Sequence, residues 1–258
     1  MLADVTPLTV MGVHSAKIDR YLPGSARPVD NPEPRIPAAK PPAMVCYRHI
    51  HLNYDGRTHM RITLVGSRHF GVTTFNTLRQ HGVDIVRVVV HDGEDRLAAA
   101  GRAVGIEVVV QADPKRVEAS EIAPATDLIV TAHSHARVTK AALAASKLGG
   151  IGYHPSLLPR HRGIAAIEWT IKEGDPIAGG TVYHLADRMD AGAIAAQEWV
   201  FVKKGETARE LWERALAPLG QKLLADVIYH AKAHGSLPAT PQDEEFATKA
   251  PALSEAKH

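Results

Sequence analysis

From residue 60 onward, short apolar runs alternate with stretches of helical spacing, and this alternation restricts the possible folds more than any other feature of the sequence. Five of the runs are predicted strands, and the β-branched run at residues 85–90 is typical of a strand covered on both faces. The five predicted strands cover residues 62–65, 85–90, 106–110, 128–131 and 151–153. Helical patterns follow the first four runs, at residues 72–79, 97–104, 114–122 and 138–148. This order predicts an α/β fold with a mostly parallel sheet and helices on both faces.

The rest of the chain divides around this α/β region. Residues 180–185 and 193–200 are predicted strands that pair with the main sheet or with each other, and residues 207–234 carry the apolar stripe of a long packed helix. Residues 1–59 hold eight of the 17 prolines and predict a Pro-rich, weakly ordered N-terminal extension. A start codon assigned too far upstream explains that segment equally well. We therefore expect a domain at residues 60–204, with residues 205–258 forming a C-terminal helix and tail packed on it.

The charge balance and the single cysteine exclude several classes of protein. Thirty basic residues against 28 acidic ones give a net charge of +2, which argues against a nucleic-acid partner. One cysteine, Cys46, excludes a disulfide framework and a four-cysteine zinc site. No apolar run approaches the roughly 20 residues that span a bilayer, and the first residues lack the pattern of a signal peptide. We expect a cytoplasmic protein without a membrane partner.

Ligands of open parallel sheets bind beyond the carboxyl ends of the strands, so the residues that follow each strand are the candidates for chemistry. Two glycines in residues 66–71 permit a tight turn before a helix, which could hold an anion, but the pattern differs from a dinucleotide-binding fingerprint. His133 and His135 follow the fourth strand without an evident third ligand, so no metal site is predicted.

The fifth strand leads into the most informative segment, Gly-Tyr-His-Pro-Ser-Leu-Leu-Pro-Arg-His-Arg-Gly at residues 152–163. His154 stands at the end of the strand, and two prolines stiffen a loop rich in cationic and histidine side chains. Loops this polar and constrained seldom serve only as connections. Downstream, Asp190 lies in a loop between the two later strands. A carboxylate that faces a histidine fixes the tautomer of the imidazole or raises its basicity.

These two segments resemble the folate-dependent formyltransferase family. The resemblance rests on His-Pro-Ser-Leu-Leu-Pro-Arg-x-Arg-Gly, followed about thirty residues later by His184, Asp190, Gly192 and Ile194, and it covers roughly residues 60–204. It implies a Rossmann-like catalytic domain with 10-formyltetrahydrofolate lying across the strand ends as co-substrate. It also implies a catalytic set of Asn-x-His and Asp. His154 and Asp190 match the histidine and the aspartate, whereas Gly152 stands at the asparagine position.

The glycine matters because the family asparagine helps to hold the tetrahedral oxyanion, and losing one such donor costs about 100- to 1000-fold in turnover. Three outcomes are open. Another donor, such as His133 or a backbone N–H, replaces the amide; the space admits a bulkier acceptor or a water; or the protein binds folate without efficient transfer. The resemblance suggests that Gly152→Asn raises activity if the family geometry persists.

The resemblance also assigns binding residues. It places the pteridine site around two segments, with the cofactor-binding residues Ala132, His133, Ser134, Ala186, Asp187 and Met189. The loop residues Arg160, His161, Arg162 and Gly163 are candidates for contacting the folate glutamate or an anionic acceptor, and a solvated loop is the alternative.

The predicted activity is transfer of a formyl group from 10-formyltetrahydrofolate to an amine of a small-molecule acceptor. Family members that act on tRNA carry a C-terminal barrel, for which about 54 residues after Lys204 leave no room. Two alternatives remain, a hydrolase that acts on the same donor and a non-catalytic folate-binding protein.

Overall fold

The computed structural model describes residues 59–253, so the predicted N-terminal extension lies outside the described residues. Seven strands form one sheet in the order β3-β2-β1-β5-β7-β8-β9, and β4 and β6 form a separate parallel pair. The strands are β1 Arg61–Gly66, β2 Asp84–Val90, β3 Glu107–Val110, β4 Arg116–Val117, β5 Leu128–Ala132, β6 Arg137–Val138, β7 Gly150–His154, β8 Ile177–His184 and β9 Ile194–Phe201. Five neighbouring strands of this sheet, β3, β2, β1, β5 and β7, run parallel to one another. Strand β8 is antiparallel to β7, and β9 is antiparallel to β8.

Six α-helices of the described part of the chain cover the two faces of the sheet. They are α1 Arg68–Gln80, α2 Arg96–Ala103, α3 Lys140–Ala144, α4 Ala166–Glu173, α5 Ala208–Leu211 and α6 Ala217–His234. A π-helical turn, Trp212–Leu216, joins α5 to α6, so the long helix predicted at residues 207–234 exists with one irregular turn. None of the helices in the described range is long and apolar enough to cross a membrane.

Alternate residues of the strands point into two separate apolar layers. On one face, side chains such as Leu64, Val130 and Ile151 pack with α1, α2 and α6. On the opposite face, Val65 and Ile129 pack with residues of α3 and of the β4–β6 pair. Because side chains alternate along a strand, Gly152 and His154 share a face of β7 that Tyr153 does not. The Tyr153 ring instead lies on the α6 side, where its hydroxyl donates to the carbonyl oxygen of Leu216 at 2.6 Å.

Two predicted helices differ from the structure. Residues 114–122 form β4 and a 3-10 turn at Ala119–Glu121 rather than a helix, because Arg116 and Val117 pair with β6 and the Glu118 and Glu121 side chains bond each other's backbone N–H groups. The helix predicted at residues 138–148 is reduced to α3. It ends there because the hydroxyl of Ser146 donates to the carbonyl oxygens of Asp127 and Gly149, which competes with continuation of the helix.

Candidate active site

His154 is the last residue of β7 and is buried, with 6% of its surface exposed. Its Nε2 atom lies 2.8 Å from the carbonyl oxygen of His161. A carbonyl oxygen can only accept, so Nε2 carries the hydrogen in this contact. The neutral ring therefore has its lone pair at Nδ1, and Nδ1 is the nitrogen that can gain or lose a proton without breaking the backbone bond.

Asp190 lies in the loop between β8 and β9 and is equally buried. Its backbone has a φ of 53°, a left-handed conformation that non-glycine residues seldom adopt, and Asp is among those that tolerate it best. Its Oδ2 atom accepts from the backbone N–H of Gly163 at 2.9 Å and lies 3.7 Å from Nδ1 of His154. The sheet and the two loops thus bring together the two side chains predicted to be catalytic.

Gly152 pairs laterally with Thr131 of β5 on one side and with Tyr183 of β8 on the other. A Cβ atom at this position would lie 2.5 Å from Oγ1 of Thr131, 3.2 Å from Cδ2 of Leu185 and 3.5 Å from Cε1 of Tyr183. Neighbouring side chains therefore occupy the space beside the glycine. The glycine does not open a pocket for a bulkier acceptor, which was one of the three outcomes considered from the sequence.

The first predicted pteridine segment lies at the carboxyl end of β5. Ala132 is buried there as the last residue of the strand, and His133 follows with a φ of 59°. The Ser67 hydroxyl donates to the carbonyl oxygen of His133 at 2.7 Å and lies 3.2 Å from its Nδ1. The Ser134 hydroxyl accepts from the backbone N–H of Ala136. These bonds therefore join the ends of β1 and β5 next to β7, the strand that ends in His154.

Stability is expected to fall below about pH 6.5 through His133. Burial of the ring, followed by the nearby His135 and Arg68, lowers the pKa of His133 from 6.5. The folded state thus binds a proton at this ring less readily than the unfolded chain does, so this contribution to stability is present above pH 6.5 and is lost as pH falls below it. Urea unfolding midpoints at about pH 7.5 and about pH 5.5 test this. We expect a smaller drop in His133→Asn than in the unmodified protein, and equal drops would contradict the assignment.

The second predicted pteridine segment lies on an exposed loop. Ala186, Asp187 and Met189 are all exposed, Met189 by 67%. Asp187 forms ion pairs with Lys140 and with Arg137, and the hydrogen bonds from these two residues lower its pKa. These contacts tie the loop to α3 and β6.

The predicted substrate-binding loop holds its cations in ion pairs. Arg160 contacts Glu173 at 2.8 Å and Asp175 at 3.0 Å, and His161 lies 2.8 Å from Asp175. Arg162 pairs with Glu244 at 2.9 Å. His161, Glu173 and Asp175 have the spacing of metal ligands, but the guanidinium of Arg160 already bonds both carboxylates. Gly163 meets the site directly, through its N–H to Asp190.

Anion binding at the turn before α1 is likewise opposed by a protein carboxylate. The two oxygens of Asp95 accept from the backbone N–H of Arg68 at 3.1 and 3.0 Å, at the start of that helix. A helix N-terminus attracts anions, so this carboxylate occupies the position that an incoming phosphate would take.

Residues 240–251, here named the C-terminal strap, contact both the loop after His154 and the loop that holds Asp190. The sequence motifs did not assign them to the site. The Gln242 amide donates to the carbonyl oxygens of Asp190 and Gly192 at 2.8 and 2.7 Å, and its own oxygen accepts from Arg162. Further hydrogen bonds join the strap to the loop that follows His154. Thr248 bonds to Pro159, His161 and Arg162, and Ala250 bonds to Arg162 and Ala165. The strap therefore fixes Asp190 relative to the loop that follows His154.

A sequence profile for formyl transferases matches residues 60–228. The chain belongs to this family. The mitochondrial 10-formyltetrahydrofolate dehydrogenase of Mus musculus is similar, with 33% identity over 203 residues that cover 74% of this chain and 22% of the dehydrogenase. The methionyl-tRNA formyltransferase of Enterococcus faecalis is 31% identical over 210 residues, which cover 75% of this chain and 65% of that protein. This formyl transferase chain thus spans only part of the length of these relatives.

Solved structures confirm the fold expected for a formyl transferase. The phosphoribosylglycinamide formyltransferase of Anaplasma phagocytophilum superposes with a TM-score of 0.59 and 25% identity, covering 74% of this chain and 98% of that one. The predicted Rossmann-like, mostly parallel sheet and the predicted family are therefore both confirmed.

Proposed function

We propose that this formyl transferase moves the formyl group of 10-formyltetrahydrofolate to an amine of a small-molecule acceptor. The observation that carries the proposal is the buried pair of His154 and Asp190 at the carboxyl end of β7, with Nδ1 and Oδ2 3.7 Å apart. Among the relatives, the dehydrogenase is named for 10-formyltetrahydrofolate, and the two formyltransferases are named for the transfer of a formyl group.

The geometry supports a role for each partner of this pair. In the proposed reaction the amine nitrogen bonds to the formyl carbon and gives up a proton, while the carbonyl oxygen becomes an oxyanion. The oxyanion then reforms the carbonyl as the carbon–N10 bond breaks and N10 takes up a proton. Nε2 of His154 is committed to the carbonyl oxygen of His161, so Nδ1 handles the proton or donates to the oxyanion. Asp190 faces Nδ1 and stabilises the imidazolium.

A small acceptor is favoured by the charges around the site. Arg160 and Arg162 are engaged by Glu173, Asp175 and Glu244, so the loop presents no free cluster of cations to a polyphosphate chain within the described residues. The net charge of +2 agrees with this. Absence of a nucleic-acid partner and a cytoplasmic location stay predictions.

The decisive assay measures release of tetrahydrofolate from 10-formyltetrahydrofolate, with and without a pool of amino sugars, amino acids and nucleotide amines. We expect release that depends on the pool, and fractionation of the pool then names the acceptor. Release without any amine would instead support the hydrolase that the relatives do not favour. Binding of the folate without release under either condition would support a non-catalytic protein.

A further inference from the structure

We propose that Tyr183 is a positioning residue for the reaction, holding the Asp190 carboxylate so that its second oxygen faces His154. The hydroxyl of Tyr183 donates to Oδ1 of Asp190 at 2.8 Å, while Oδ2 points to Nδ1 of His154 and to the N–H of Gly163. The inference rests on the proposed function, because it concerns the same pair of side chains.

The carboxylate is held at both oxygens by groups from different parts of the fold. Tyr183 comes from β8, Gly163 from the loop after β7, and the Gln242 amide holds the Asp190 backbone from the strap. The titratable side chains placed against this carboxylate in the described structure are His154 and Tyr183. Losing the phenol bond would free the carboxylate to rotate about the bond that aims Oδ2.

The Tyr183 hydroxyl stays protonated, and so remains a hydrogen-bond donor, over the pH range in which enzymes work. Burial, together with the charge of Asp190, raises the pKa of Tyr183 well above its usual value of 10. The hydroxyl thus remains protonated at neutral and moderately alkaline pH. A hydrogen bond from a neutral phenol to a carboxylate favours the ionised carboxylate, which is the form that stabilises an imidazolium.

Gly152 explains how the ring reaches this position. Tyr183 pairs with Gly152 across the two strands, and its Cε1 atom lies 3.5 Å from where a Cβ of residue 152 would be. A side chain that extended beyond Cβ toward His154 would compete with the ring for the same space. Gly152, at the family's asparagine position, therefore leaves free the space that the neighbouring Tyr183 ring occupies.

The test compares Tyr183→Phe with Tyr153→Phe. Tyr153 is the matched control, since it lies on the neighbouring strand, faces away from the site and donates its own hydroxyl to a backbone carbonyl at 2.6 Å. We expect Tyr183→Phe to lower kcat by about 10- to 100-fold, because a hydrogen bond to a charged group is lost. We expect an unchanged KM for the folate. We also expect the acid limb of the pH–kcat profile to move to higher pH, because the ionised Asp190 carboxylate loses a hydrogen bond that favours it. In Tyr153→Phe both kcat and this limb should stay where they are.

A second measurement does not depend on activity. Histidine-selective nitrogen NMR of His154 follows its imidazole as pH is varied, and we expect the titration to move in Tyr183→Phe and not in Tyr153→Phe. If the unmodified protein shows no turnover while the NMR shift appears, the proposed function fails and the positioning role stands. An unmoved His154 titration, or equal effects of the two substitutions on kcat and on the acid limb, would overturn the role of Tyr183.

Discussion

The His154→Asn variant is expected to lose about 100- to 10,000-fold in turnover, the range that a positioned proton-transfer group contributes. Asparagine is polar and cannot carry the positive charge that Nδ1 acquires in front of Asp190. Because Oδ2 of Asp190 is held independently by the N–H of Gly163, the carboxylate should stay in place when the imidazole is removed. The measurement is single-turnover release of tetrahydrofolate with the acceptor in excess.

His184→Asn is the matched control for this experiment. Like His154, His184 ends its strand and donates from Nε2 to a backbone carbonyl at 2.8 Å, in this case that of Pro238. Both variants lose a comparable hydrogen bond, whereas only one loses the group facing Asp190. Turnover should therefore fall far more in His154→Asn. Equal losses would mean that packing, rather than proton handling, explains the effect.

Gly152→Asn is expected to lower both stability and turnover, although the family resemblance alone suggests a gain. Oγ1 of Thr131 lies 2.5 Å from the position of the new Cβ, so either the Thr131 side chain or one of the strands β5 and β7 must shift. Overpacking of this kind costs about 1–3 kcal/mol in the free energy of unfolding. His154 follows two residues later on the same strand, and small displacements of a reacting group cost about 100-fold in rate. Urea unfolding and turnover measure the two effects.

Thr131→Ala, combined with Gly152→Asn, identifies the cause. If the threonine hydroxyl is the obstacle, the double variant should be more stable than Gly152→Asn alone. It should also be more stable than the sum of the effects of the two single substitutions. Gly93→Ala serves as a glycine control, because a Cβ there would meet only ordinary contacts, at 3.4 Å from Val110 and 3.6 Å from Arg102. A rise in turnover for Gly152→Asn without loss of stability would show that the site relaxes to accept the amide.

Sequence patterns could predict the sheet because buried strands are made largely of apolar residues. The five parallel strands consist largely of apolar residues, and β1 and β5 in particular are buried along nearly their whole length, as expected for strands covered on both faces. Residues 114–122 were predicted wrongly because their structure depends on pairing between β4 and β6, which are distant from each other in sequence and only two residues long. Local helical spacing carries no information about such a pairing.

The two catalytic candidates and Gly163 could be found from motifs, whereas Gln242 could not. The side-chain amide of Gln242 bonds to the backbone carbonyl oxygen of Asp190, and a backbone acceptor leaves almost no trace in residue type. Tyr183 had a weak signal, since it lies in a predicted strand one residue before His184 of the motif. Its direction depends on the register of β7 with β8, which fixes the face that each side chain occupies.

The C-terminal strap has a consequence for synthesis of the protein on the ribosome. All strands of the sheet are complete once Phe201 has been made, whereas Gln242, which anchors the Asp190 loop, follows about 40 residues later. At translation rates of about 5–20 residues per second, this interval lasts roughly 2 to 8 s. During that time α6, which packs on one face of the sheet, is also made before the residues that hold the Asp190 loop. The emerging polypeptide therefore contains its whole sheet and this helix before it contains the strap.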